Sequence, residues 1–122
     1  MNDQEGDHDL RQRTKKFALR IIRLCSSLPK TGAAQVIGRQ LLRSGTSPGA
    51  HYREACRARS RAEFVSKIEG GLQEREETSY WLELLTDSRI VPAARLTSLR
   101  QETQELLAIF ASSAMTAKKA KR

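Results

Sequence analysis

The chain has 122 residues and a mass of 13.7 kDa, with 39% hydrophobic residues, only 5% aromatic residues and a formal net charge of +8. That length has room for one domain around one modest core, because a small protein has little apolar volume to divide. No apolar run approaches the roughly 20 residues needed to cross a bilayer, and the acidic N-terminus is unlike the basic start of a signal peptide, so a cytoplasmic protein is expected.

The charge is unevenly spread. Residues 1–9 carry four acids and no Lys or Arg, residues 10–67 carry fourteen bases against two acids, and residues 68–117 carry four bases against eight acids. Lys118, Lys119, Lys121 and Arg122 then form a basic tail. A basic first half joined to an acidic second half suits either a polyanion or another copy of the same chain.

Residues 1–8 are expected to be a disordered acidic segment. A first helix is predicted from about Asp9 to Leu28, since Leu10, Phe17, Ile21, Leu24, Cys25 and Leu28 recur at three- and four-residue steps. Pro29 ends it. A second helix follows the turn at Pro29-Lys30-Thr31-Gly32, with Val36, Ile37, Leu41 and Leu42 as its apolar face. Pro48 removes a backbone donor inside this pattern, and the expected response is a kink before Ala50 to Cys56.

The third helix has the clearest start: Ser60-Arg61-Ala62-Glu63 fits a capping box in which Ser60 and Glu63 satisfy each other's backbone donors. Its stripe is Phe64, Ile68, Leu72, Leu82 and Leu85, and small Gly70, Gly71 and Ser79 admit a close neighbour. It should reach about Thr86. Pro92 suits the first turn of a fourth helix, whose stripe is Leu96, Leu99, Leu106, Leu107 and Phe110. A four-helix domain over residues 9–115 is therefore predicted, all-α and antiparallel up-down-up-down, with residues 116–122 a disordered basic tail.

The middle of the chain carries a set of ordered blocks: Gln40-Leu41-Leu42-Arg43-Ser44, Thr46-Ser47-Pro48, Gly49-Ala50-His51-Tyr52-Arg53-Glu54-Ala55, Arg57 to Phe64, and Glu77 followed by Tyr80-Trp81-Leu82-Glu83-Leu84-Leu85. In order and spacing, over roughly residues 14–112, they resemble the bacterial four-helix-bundle proteins that include those encoded within intervening sequences of large-subunit ribosomal RNA genes. His51 stands where Asn is more usual in that pattern. The resemblance implies an antiparallel bundle, assembly into rings that are typically pentamers, and no enzyme activity. Some proteins of this kind accompany reverse transcriptases in diversity-generating retroelements and bind nucleic acid, while most have no settled function.

Read for chemistry, the sequence offers two charged sets. Arg53, Arg57, Arg59 and Arg61, with Arg39 and Arg43 along the second helix, form a candidate basic face for nucleic acid or for a neighbouring subunit. Glu69, Glu76 and Glu83, seven residues apart, share one side of the third helix and form a candidate acidic face between subunits. Glu77 and Arg43 are candidates for an inward-facing polar pair. Among Tyr80 and Trp81, neighbours about a hundred degrees apart on a helix, one is expected to pack inside and the other to reach an interface.

No catalytic, cofactor or metal site is predicted. A di-metal carboxylate bundle needs Glu-x-x-His on two helices, and the only histidines are His8 and His51, the latter in the reverse order His51-x-x-Glu54. Cys25 and Cys56 lack metal-ligand spacing and are expected to be packed thiols, though the arginines around Cys56 would activate it if it were exposed. The expected protein is thus a non-enzymatic homo-oligomeric scaffold or interaction protein, with RNA, DNA or another protein as further partners and no membrane. The alternative is a nucleic-acid-binding accessory protein that uses the basic helical face.

Overall fold

The computed structural model describes residues 3–120, and side chains from residue 9 onward. It contains four helices: α1 (Asp3–Ser26), α2 (Gly32–Cys56), α3 (Arg61–Asp87) and α4 (Ala93–Lys119). No strand occurs among the described residues, and no helix there is long and apolar enough to cross a membrane. The helices pack in chain order, α2 against α3 most extensively and α1 against α4 most sparsely.

The helical bounds differ from expectation at both chain ends. α1 begins at Asp3, within the segment expected to be disordered. α4 continues to Lys119, past the expected limit near residue 115, because Lys118 pairs with Glu69 of α3 at 2.6 Å and Arg61 Nη1 donates to the Ala120 carbonyl at 2.6 Å. Met1, Asn2, Lys121 and Arg122, the extremes of the two segments expected to be disordered, lie outside the described residues.

The short links hold their helix ends by hydrogen bonds. Thr31 caps α2, its hydroxyl accepting from the Ala34 N–H at 3.3 Å. Ser60 caps α3 by accepting from the Glu63 N–H at 3.0 Å, but the Glu63 carboxylate reaches one residue beyond the box and accepts from the Arg59 N–H at 2.7 Å. After α3, Arg89 takes a left-handed conformation (φ 62°), and the Arg89 and Val91 N–H groups donate to the carbonyls of Thr86 and Leu85. α2 passes through Pro48 as one helix.

The core falls into two clusters. The larger joins Phe17, Ile21 and Leu24 of α1 to Leu41, Leu82, Leu85, Leu96, Leu99 and Leu106, and the smaller holds Tyr52, Ala55, Ile68, Phe110 and Ala114. Arg75 stands between them, with no solvent exposure and its guanidinium carbon 4.3 Å from the centre of the Phe17 ring and 5.6 Å from that of Phe110. The other buried polar side chains among the described residues are Thr14, Ser44, Thr78 and Thr103. Thr14 donates to the Leu10 carbonyl, Thr78 to the Ser44 hydroxyl and Thr103 to the Leu99 carbonyl. The three nitrogens of Arg75 have no hydrogen-bond partner among the described residues.

Candidate interaction surfaces

The six arginines of the expected basic face separate into two groups. Arg43 bridges α2 to α3, donating to Glu74 at 2.8 Å and also to Glu77, and Arg61 is held by the end of α4. Burial opposes the charge of Arg43, but Glu74 and Glu77 outweigh it and raise its pKa. The Arg43–Glu77 pair is therefore a surface clamp and not an inward-facing one, with the Arg43 side chain 48% exposed. Trp81 completes it, its indole N–H donating to Glu77 at 3.2 Å.

Arg39, Arg53, Arg57 and Arg59 are exposed, and no carboxylate among the described residues pairs with them. Helical geometry puts Arg53 about 40° from the direction of Arg39 on α2 and about 21 Å along its axis, and Arg57 and Arg59 follow just past the end of that helix. Leu42 is an exposed apolar residue of the same helix, and Leu19 and Ile22 are exposed on neighbouring α1. No Asp or Glu occurs between Asp9 and Glu54, so this α1–α2 surface carries cations and apolar side chains with no acid until the end of α2.

Glu69, Glu76 and Glu83 are exposed on the outside of α3. Glu69 is occupied by Lys118, whereas no described cation pairs with Glu76 or Glu83. Tyr80 lies between them in sequence, on the same side of the helix, and is 53% exposed, while Trp81 is half-buried against the larger core cluster. Acid, aromatic and acid thus form a continuous outward stripe.

The two cysteines part company. Cys25 is half-buried, donates to the Gly38 carbonyl at 3.3 Å and has its pKa raised by burial, which makes it a poor nucleophile. Cys56 is exposed, contrary to the packed position expected, because it stands about a hundred degrees round α2 from the buried Ala55. His51 packs over Gly70, where an added Cβ would lie 3.2 Å from the imidazole Cε1, and its Nδ1 is 3.9 Å from Glu54. Among the described residues, no three His, Cys, Asp or Glu side chains are grouped to hold a metal.

The match to known proteins agrees with this architecture. Residues 6–112 match the model of the 23S rRNA-intervening sequence protein family. The chain belongs to that family. A protein of unknown function from the S23 ribosomal protein family of Bacteroides thetaiotaomicron VPI-5482, known from a crystal structure, is 36% identical to it and superposes with a TM-score of 0.83. The alignment covers 89% of this chain and 97% of the other. None of the curated proteins matches.

Within this member of the family, two features escape the pattern of the sequence. One is Arg75, seven residues after Ile68 and seven before Leu82, and so directly in the buried stripe; that spacing was its signal. The other is a ladder between α1 and α4. Arg13 binds Glu102 and Glu105 at 2.7 and 3.1 Å, Arg20 donates to Ser98 at 3.0 Å, and Arg95 donates to Ser27 at 2.7 Å. The heptad spacing of Arg13, Arg20 and Ser27 foreshadows the ladder, but which helix faces them follows only from the fold.

Proposed function

We propose that this protein is a non-enzymatic interaction module whose first partner is another copy of itself. The observation that carries this reading is the outward stripe of Glu76, Tyr80 and Glu83, unpaired by described cations, on a molecule whose α1–α2 surface offers Leu19, Ile22, Leu42, Arg39 and Arg53. The two surfaces are different and complementary, so the contact they make is head-to-tail, and a head-to-tail contact that closes gives a ring. Five subunits is the number the family resemblance implies. Sedimentation at micromolar concentration should give a closed multimer, and Glu76→Lys with Glu83→Lys should shift it toward monomer. A wild-type monomer at that concentration overturns the reading.

A second reading, nucleic-acid binding, is favoured by the four exposed arginines that lack described acidic partners, Arg39, Arg53, Arg57 and Arg59. Phosphate neutralisation by such a face releases counterions, so affinity for labelled RNA or DNA should fall steeply with salt and again in Arg57→Ala and Arg59→Ala. Affinity indifferent to both removes this face as the binding surface.

A further inference from the structure

The α1–α4 ladder changes character along its length. At the first rung the charge of Arg13 is met by two carboxylates, and hydrogen bonding to Glu102 raises its pKa. At the next two rungs the partners are Ser98 and Ser27, which accept a hydrogen bond from Arg20 and Arg95 but leave the guanidinium charges uncompensated. Arg23 stands beside them with no hydrogen bond to any described residue. Arg20, Arg23 and Arg95 line a cavity of about 220 Å³ whose remaining wall is Leu24, Leu96 and Leu99.

No carboxylate in the surrounding sequence supplies a counter-charge, and the negative end of α1, whose last turn holds Arg23, offsets only part of the charge. The α1 segment has no acid after Asp9, and none occurs between Asp87 and Glu102. Arg95 and Leu96 lie in the opening turn of α4, which has no acid and no side-chain cap, so the positive end of that helix adds to the same field. Like charges held together around an apolar-backed hollow repel one another, and an anion between them relieves that repulsion.

We infer that this cleft is a binding site for a phosphate group. Three guanidinium forks from two helices offer more donors than a carboxylate has oxygens, whereas a tetrahedral phosphate can engage all three. The two serines hold Arg20 and Arg95 in place beforehand, which lowers the entropic cost of capture. The hollow is about 220 Å³ and open to solvent, so it admits a phosphate and leaves any ester substituent outside it. The site is separate from both surfaces proposed above: it lies on the flank of α1 that faces α4, whereas assembly uses the flank toward α2.

Calorimetric titration with inorganic phosphate, at constant ionic strength against chloride, tests the site directly. Saturable binding is expected, weakened about tenfold by Arg20→Gln or Arg95→Gln, the loss of one charge-assisted hydrogen-bonding fork. Lys119→Gln, exposed at the opposite end of α4, should bind as the wild type does. Arg23→Gln, which removes no hydrogen bond to a described residue, should weaken binding similarly while leaving the ladder intact. A nucleoside monophosphate that binds while its nucleoside does not identifies the phosphate as the recognised group and its ester as an accepted source; binding of inorganic phosphate alone narrows the source to the free anion. Absence of saturable phosphate binding into the millimolar range, unweakened binding in all three cleft variants, or equal binding of nucleoside and nucleotide overturns the inference.

Discussion

Arg75 has the most unfavourable position of any charged side chain in the described protein. Its guanidinium is fully buried, stacked near two aromatic rings and without a described hydrogen-bond partner, and burial lowers its pKa to about 9, with Glu102 pulling upward and Arg13 pushing further down. The two rings recover part of the lost hydration by cation–π attraction, but not the hydrogen bonds. Replacing a poorly compensated buried charge by an apolar side chain of similar length is stabilising, so Arg75→Met should raise unfolding stability by about 1–4 kcal/mol in urea denaturation. The pH dependence has a definite sign. At neutral pH both folded and unfolded chains keep the Arg75 proton and the penalty is present in full; above about 9 the folded chain sheds it while the unfolded chain retains it, so the contribution of Arg75 to stability improves as pH rises. The advantage of Arg75→Met over wild type should therefore shrink between about pH 8 and about pH 11. At the surface, the α3 cap is the residue whose loss is simplest to read: Ser60→Ala should cost about 1 kcal/mol by orphaning the Glu63 N–H.

At the scale of the helices, α1 and α4 were legible because their buried faces carry large apolar residues at regular spacing, whereas the buried face of α3 holds Gly71, Arg75 and Thr78 between Ile68 and Leu82 and was legible only in part. α2 was legible as a helix, but its face was not. Of Val36, Ile37, Leu41 and Leu42, only Leu41 is buried, while Val36 and Leu42 are 51% and 40% exposed. The buried face consists instead of Ala34, Gly38, Leu41, Ser44, Gly45, Pro48, Tyr52 and Ala55, mostly small residues whose value lies in letting a neighbour approach and which give no hydrophobic periodicity to read. A Cβ at Gly45 would lie 2.8 Å from Ile21 Cγ1, and one at Gly71 of α3 only 2.6 Å from Phe110 Cε2. Gly45→Ala and Gly71→Ala should thus lose about 1–3 kcal/mol to overpacking, only partly offset by the ~1 kcal/mol that alanine gains in helix propensity. Gly32→Ala meets nothing within 4 Å and should be neutral or stabilising by up to ~1 kcal/mol. Thermal unfolding of the three variants side by side separates close packing from propensity.

Over the whole molecule, the opposition between a cationic α1–α2 pair and an acidic α3 was readable from charge counts alone. The partition within each set was not. Arg43 and Arg61 belong to intrachain contacts, and Arg20, Arg23 and Arg95 come together only because α1 lies beside α4, a pairing between residues some seventy apart that no local pattern encodes. The divided core has a consequence for how the bundle opens. The smaller cluster rests on five buried residues and the larger on twelve, so opening the smaller end sacrifices less apolar contact. That opening also brings water to Arg75, which makes the partly open form more favourable than area alone would suggest. Native-state amide exchange should show Ile68 and Ala114 losing protection at lower free energy than Leu24, Leu85 and Leu99. In Arg75→Met the gap between the two groups should narrow, since the buried cation that weakens the junction is gone. A single charge in the stripe of α3 would then set not only how stable the bundle is, but from which end it comes apart.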